Sequence, residues 1–276
     1  MQPLVETAYA KINLALHIRS RRTDGYHNLE TLFAFVDAGD QLTASDADDL
    51  TLSISGPFAE KLQSERNNLV LRTAHLMRQH FRVQTGAILT LEKNLPVSSG
   101  IGGGSADAAA TARLLNRLWG LGARDSELES LLAPLGADIP ACIGSKTVFG
   151  LGTGTELTPV SADEFAGMSI LLVNPRKPVS TAAVFSRWDG VDRGALSAER
   201  PMATMLQGRN DLEPMAIAIC PDIEEILAAL RETLPLMARM SGSGATCFAV
   251  YQSMDARDAA QSTMNAAWWT LAGKLR

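Results

Sequence analysis

The sequence is short of the features that would place it in several large protein classes. It holds only three cysteines, Cys142, Cys220 and Cys247, in 276 residues. They lie far apart, with no CxxC pair and no Cys/His ligand spacing, which argues against a disulfide frame or a zinc site and for buried thiols in a reducing compartment. No stretch approaches the roughly 20 consecutive apolar residues of a membrane span. Glu6 and Lys11 interrupt the first apolar stretch, so it does not read as a secretory signal. Positive charge is in deficit, with 25 Lys and Arg against 30 Asp and Glu and a net charge of −5. A general nucleic-acid binder needs a cationic face that this balance does not supply. Internal repeats and low-complexity linkers are absent. What remains is an ordinary globular composition, 46% hydrophobic and 20% charged, long enough for one large core or two moderate ones. The expectation is a soluble, cytoplasmic protein with no nucleic-acid or membrane partner.

What is present is clear periodicity. From Thr7 to Ile18 the chain alternates, with Ala8, Ala10, Ile12, Leu14, Leu16 and Ile18 on one face and Thr7, Tyr9, Lys11, Asn13 and His17 on the other. That pattern predicts a half-buried strand carrying Lys11 and Asn13 on its polar face. A turn over residues 21–28 leads to strand at 32–36, and 51–54 reads as strand too. Asn68 caps a predicted helix reaching about Phe81, with Leu71, Ala74 and Met77 on one side. Strand at 87–91 precedes a glycine cluster and then a helix from Ala106 to Trp119, stopped by Gly120. Ser126 and Glu129 have capping-box spacing for a further helix ending at Gly136. Later segments read as strand at 168–173, helix within 214–230, a Ser241-Gly242-Ser243-Gly244 loop feeding strand 246–250, and helix over 256–271. Interleaved strands and helices predict an α+β or α/β class, with a domain boundary near residue 160.

The glycine cluster carries the strongest chemical signal. Gly100, Gly102, Gly103 and Gly104, followed by Ser105 at a helix start, leave backbone N–H groups uncovered at the positive end of a helix dipole. Such a site stabilises an anion such as a triphosphate. A plain tight turn with Ser105 as N-cap is the simpler account, although consecutive glycines are costly in backbone entropy for a turn alone. The P-loop pattern fails because no lysine follows the glycines. The dinucleotide fingerprint fails because its third glycine falls on Ser105. HRD and DFG signatures are absent.

Pro96-Val97-Ser98-Ser99-Gly100-Ile101-Gly102-Gly103-Gly104-Ser105-Ala106 resembles the phosphate-binding motif of the GHMP kinases, the superfamily of galactokinase, homoserine kinase and mevalonate kinase. Ala10-Lys11-Ile12-Asn13-Leu14 resembles that family's N-terminal motif, and Ser241-Gly242-Ser243-Gly244-Ala245 its C-terminal glycine loop. Asp24-Gly25-Tyr26-His27 and Gly136-Ala137-Asp138-Ile139-Pro140 are similar to the branch that phosphorylates a cytidine-diphosphate-linked methylerythritol. The resemblance implies an α+β, two-domain fold, with an ATP-binding N-terminal domain over 1–160, a C-terminal domain over 161–276 and an active site in a cleft between domains. It also implies ATP-dependent phosphorylation of one hydroxyl of that small molecule.

Residue roles follow from the resemblance. Asp138 is the expected general base, orienting and deprotonating an alcohol that is otherwise a poor nucleophile. It is equally well placed to N-cap a helix begun by Ile139-Pro140. Lys11 would stabilise the ionised aspartate and the charge developing on the hydroxyl oxygen, unless it is a solvated lysine on a polar strand face. Asn13, Tyr26, His27 and Phe185 are the expected substrate contacts, the aromatics stacking on a cytosine and the histidine bonding its edge. Otherwise Tyr26-His27 is a polar surface turn and Phe185 a core residue. Lys93 is expected at the nucleotide, together with residues 96–106, or else as a solvated strand end. Mg²⁺ accompanies ATP, with Ser105 a candidate ligand and the remaining ligands unassigned. Two departures from the family pattern are Ala106-Asp107, where relatives often carry Ser-Asn, and the glycine-rich stretch Gly150–Gly154. Another GHMP kinase acting on homoserine, mevalonate or a sugar, and a non-catalytic ligand-binding member of the fold, are the alternatives.

Overall fold

The computed structural model describes residues 2–63 and 68–276. In chain order its elements are β1 (Leu4–Arg21), β2 (His27–Ala47), β3 (Leu50–Ser55), α1 (Glu60–Gln63), α2 (Leu69–His80), β4 (Gly86–Glu92), α3 (Gly103–Leu118), α4 (Asp125–Leu132), α5 (Ile139–Gly144), β5 (Val148–Leu151) and β6 (Glu156–Pro159). There follow β7 (Ser169–Asn174), α6 (Thr181–Ser186), α7 (Pro201–Gln207), α8 (Glu213–Ile217), α9 (Asp222–Glu232), β8 (Met237–Met240), β9 (Cys247–Tyr251), α10 (Met254–Thr263) and β10 (Trp269–Lys274). The chain forms two compact units that are interleaved in sequence. The first holds Met1–Ala10, Gly39–Val97 and Gly102–Ser145; the second holds Lys11–Ala38, Ser98–Ile101 and Lys146–Arg276. Interleaving arises because β1, β2 and the glycine loop each pass from one unit to the other.

In the first unit β3 and β4 are parallel, in register from Leu50–Ala87 to Ser55–Glu92, and the last part of β2 runs antiparallel to β4. Parallel neighbours need a crossover, which α1 and α2 supply. As the sequence predicts, Asn68 caps α2, its Oδ1 accepting the Val70 N–H at 2.8 Å. The buried stripe of α2 is Val70, Thr73, Ala74 and Met77, not the row through Leu71. Helix α3 begins at Gly103 rather than Ala106, with Gly102 in the N-cap position at φ 64° and Gly120 stopping it at φ 61°. Its buried alanines, among them Ala106, Ala108, Ala109 and Ala112, give small surfaces on which α2 and α5 pack. The capping box at Ser126 does not form: α4 already starts at Asp125, and its N-cap position, Arg124, makes no side-chain cap bond.

In the second unit an antiparallel sheet runs in the order β10-β7-β9-β8. Every residue of β7 is buried, and Leu171, Val173, Ala249 and Tyr251 share a core with Ile223, Ile226, Leu227 and Leu230 of α9. The helix predicted within 214–230 is two helices, α8 and α9, separated at Cys220-Pro221, where proline lacks the N–H that a continuous helix would use. The helix predicted over 256–271 ends at Thr263. Asn265 Oδ1 then takes the Ala267 N–H in a turn, and residues from Trp269 pair with β7 as an edge strand. The Gly150–Gly154 stretch runs from the end of β5 into the β5–β6 turn, with Gly152 and Gly154 at φ 65° and 89°. No helix of the described residues is long and apolar enough to cross a membrane.

Strand β1 departs from the half-buried expectation. Residues 10–18 are buried on both faces, because polar groups of the second unit cover the Lys11–Asn13 side.

Candidate active site

The first half of the glycine loop belongs to the second unit and is held there by backbone bonds. Thr246 N–H donates to the Ser99 carbonyl and Lys11 N–H to the Ile101 carbonyl, both at 3.0 Å. Ser241 Oγ accepts the Asn13 N–H at 3.1 Å and donates to the Gly100 carbonyl at 2.9 Å, so one hydroxyl joins β1, the Ser241 loop and the glycine loop. Gly100 is at φ 78°, and a Cβ there would lie 2.5 Å from the Ser241 carbonyl oxygen and 2.8 Å from that of Gly244. Glycine is the only residue that fits both the dihedral and the gap. Ser98 is exposed at φ 54°, while Pro96, Ser99 and Ile101 are buried and Val97 half-buried.

The second half of the loop opens α3 in the first unit. Gly103, Gly104 and Ser105 form its first turn, so their N–H groups have no intrahelical partner. Ser105 Oγ faces the Gly136 corner: a Cβ on Gly136 would sit 3.7 Å from it. Asp138 lies two residues beyond, in the N-cap position of α5, but its side chain makes no capping hydrogen bond. Of the two roles that the sequence left open, capping is therefore not how this carboxylate is used. Residues 102–106 and Asp138 thus share one unit; Lys11, Asn13, Tyr26, His27 and Phe185 belong to the other.

Lys93 is neither solvated nor at a strand end open to water. It is 1% exposed, and its Nζ donates to Asp40 Oδ2 at 2.5 Å and to Asp107 Oδ2 at 2.6 Å. Burial opposes the ammonium, but the two carboxylates outweigh it and hold the lysine above its ordinary range. Burial pushes the Asp107 carboxyl up to about 8 against the pull of Lys93. The other Asp107 oxygen, Oδ1, has no hydrogen-bond partner. The unusual Asp107 is therefore the partner of Lys93.

In the second unit Lys11, 4% exposed, donates from Nζ to Asn13 Oδ1 at 3.1 Å and stands 4.7 Å from the Phe33 ring centroid. Asn13 Nδ2 donates to Thr31 Oγ1 at 2.8 Å. The predicted aromatic set is partly assembled. His27 and Phe185 rings lie 5.2 Å apart, and Trp188, which the sequence did not single out, packs edge-on to His27 at 5.4 Å. Tyr26, at 66% exposed, stands outside that cluster; its N–H is held by Asp24 Oδ1 at 3.0 Å. Arg21 Nε donates to His27 Nε2 at 3.3 Å, which leaves the ring proton on Nδ1. Burial first and Arg21 second hold His27 below its ordinary pKa, so it is neutral at pH 7.

Asp40, Trp188, Thr31 and Arg21 had no readable signal, since each is a lone residue whose partner is distant in sequence. The described residues contain no cluster of three His, Cys, Asp or Glu fit to hold a metal by themselves.

Known proteins match the chain in both halves. Residues 68–146 match the family model for the GHMP kinases N terminal domain, and residues 193–268 the one for GHMP kinases C terminal. The chain is 51% identical over 273 residues to 4-diphosphocytidyl-2-C-methyl-D-erythritol kinase of Novosphingobium aromaticivorans, covering 99% of this chain and 93% of that protein. A crystal structure of 4-(cytidine 5'-diphospho)-2C-methyl-D-erythritol kinase matches at a TM-score of 0.85 and 30% identity, over 99% of both chains. Homoserine kinase from Cytophaga hutchinsonii matches at a TM-score of 0.72 over 100% of this chain and 95% of that one, but at 17% identity the likeness is one of fold alone. With both halves of the family pattern in order and a relative so similar over nearly the whole length, the chain belongs to the GHMP kinase family.

Proposed function

We propose that the protein is an ATP-dependent 4-diphosphocytidyl-2-C-methyl-D-erythritol kinase, phosphorylating the 2-hydroxyl of its substrate in non-mevalonate isoprenoid precursor biosynthesis in the cytoplasm. The observation that carries the substrate choice is the buried His27 ring with Phe185 and Trp188 packed against it, just after the Asp24-Gly25-Tyr26 turn. A neutral imidazole with its proton on Nδ1 donates to a pyrimidine acceptor, and aromatic faces stack on a base at about 1–3 kcal/mol each. Homoserine and mevalonate carry no ring to use such a set.

The loop amides of residues 100–105 bind the phosphates, where orphan N–H groups and the α3 dipole favour negative charge. Asp138 takes the hydroxyl proton. Lys11, steadied by Asn13, offsets the charge on the attacking oxygen, and Asn13 contacts the substrate. Tyr26 and Phe185 face the pyrimidine. Residues 96–106 make up the ATP site, with the buried Lys93 behind them. Mg²⁺ bound to ATP would neutralise phosphate charge; Ser105 Oγ is the protein oxygen offered to it, which suits an ion that keeps several waters and needs few protein ligands. In chain order the ATP-binding family domain is assigned to 1–160 and the second to 161–276, a reading supported by family matches that fall on either side of residue 160, while the compact units interleave, residues 11–38, 98–101 and 146–160 packing with the C-terminal part.

The test is ADP release with 4-diphosphocytidyl-2-C-methyl-D-erythritol, mevalonate and homoserine, each with ATP and Mg²⁺. Turnover confined to the cytidine compound is the expected result. Preference for mevalonate or homoserine overturns the substrate reading, and no ADP release with any of the three favours a ligand-binding member of the fold.

A further inference from the structure

The glycine loop must aim its amides at a phosphate before the phosphate arrives, yet four of its residues are glycines that place little restraint on the backbone. Three buried ionisable side chains lie at its foot. Asp40 comes from β2, Lys93 from the residue after β4 and Asp107 from the second turn of α3, with side chains 0%, 2% and 4% exposed. Asp40 Oδ1 accepts the N–H groups of Asn94 and Leu95 at 2.6 and 2.8 Å, fixing the segment that enters the loop. Its Oδ2 accepts one hydrogen bond from Lys93 Nζ, and Asp107 Oδ2, on the segment that leaves the loop, accepts another. The Lys93 backbone is pinned as well, its N–H donating to the Ser55 carbonyl at 2.7 Å and its carbonyl accepting from Phe58 at 3.2 Å. Gly103 rests directly on the ammonium: a Cβ there would lie 3.2 Å from Lys93 Nζ.

Replacing a buried ion cluster by apolar side chains of like volume is often neutral or stabilising, so stability alone gives little reason for this one. What it does provide is direction. A lysine Nζ hydrogen-bonded to two carboxyl groups fixes two backbone segments relative to each other with a geometry that apolar packing does not impose. We propose that Asp40, Lys93 and Asp107 are positioning residues for ATP, a buried clamp that holds the entry and exit of the glycine loop and so sets where its amides point. The inference rests on the ATP reading of the loop and deepens it. Lys93 acts through the loop rather than as a point charge on a phosphate.

The experiment compares the wild type with Asp107→Ala and Asp107→Asn. It measures the ATP Kd by calorimetric titration with Mg²⁺, and the KM for ATP and for 4-diphosphocytidyl-2-C-methyl-D-erythritol by ADP release. An alanine breaks the tether, while an asparagine oxygen still accepts from Lys93. Loss of one well-aimed phosphate hydrogen bond corresponds to about tenfold. Asp107→Ala is therefore expected to raise ATP Kd and KM by about tenfold or more while the other substrate's KM stays put, with Asp107→Asn recovering most of the loss. If Asp107→Ala does not fold, Asp107→Ser, too short to reach Lys93 at its present distance, takes its place. Unchanged ATP affinity, equal rises in both KM values, or an asparagine variant as impaired as the alanine one overturns the clamp. A wild type that binds ATP but turns over none of the substrates sinks the proposed function, and the Kd comparison then still decides the clamp. A wild type that does not bind ATP overturns both.

Discussion

Gly100→Ala puts the packing of the two glycine loops to a direct test. The new Cβ would stand 2.5 Å from the Ser241 carbonyl oxygen and within 2.9 Å of the Gly244 carbonyl oxygen and nitrogen. All three are backbone atoms, so no flexible side chain can yield. Two costs add. An L-residue at φ 78° is disfavoured by roughly 1–2 kcal/mol, and overpacking a filled site costs about 1–3 kcal/mol. The sum, about 2–5 kcal/mol, corresponds to a fall of about 5–15 °C in the melting temperature of a chain this size. Gly104→Ala is the control. It lies four residues on in the same loop, exposed in the first turn of α3, and its Cβ would meet only Leu69 Cδ1 at an ordinary 3.4 Å. Alanine there gains up to about 1 kcal/mol of helix propensity, so its melting temperature should hold or rise slightly. The assay is thermal unfolding followed by circular dichroism on both variants without nucleotide. A Gly100→Ala protein melting within about 2 °C of wild type, or the two variants falling together, would refute the argument that Gly100 is required by backbone contact.

Asp138→Asn should lower kcat about 10²- to 10⁴-fold, the usual contribution of a general base, with ATP KM little changed; near-normal turnover in steady-state ADP release removes Asp138 from that role. His27 sets a pH dependence whose sign is fixed. Its pKa lies below the ordinary 6.5 because burial and Arg21 disfavour the charged ring, so it is neutral at pH 7 and gains a proton only as pH falls under that value. The KM for the cytidine substrate is expected to stay flat from pH 7 to 8 and to rise only below the ordinary imidazole range. Arg21→Met removes one of the two causes and should move the rise to higher pH. A wild-type rise already complete at pH 7 contradicts a neutral His27.

Much of the fold was legible where the signal is local. Asn68 capping α2 depends on a side chain and an N–H two residues apart, and Gly120 ends α3 through its own dihedral, so short windows of sequence contain both partners. Periodicity misled where long-range pairing decides. The 256–271 segment reads as helix, yet from Trp269 its backbone completes the edge of β7, a partner about a hundred residues earlier in the chain. The polar face of β1 reads as solvated because alternation reports chemistry but not cover; the Ser241 loop that buries Asn13 lies 228 residues away.

The same division runs through the site. Residue type and spacing were enough to mark the glycine loop, because orphan amides at a helix start carry their chemistry with them; Lys11, Asp138, His27 and Phe185 were singled out by resemblance to the family's motifs, spacing alone leaving a structural account of each open. Which atom meets which was settled only in three dimensions. Lys93 became the centre of a buried triad because Asp40 and Asp107 converge on it from β2 and α3. Trp188 joined His27 because the start of β2 lies beside the end of α6. Those pairings depend on how distant segments pack, and no window of neighbouring residues contains that information.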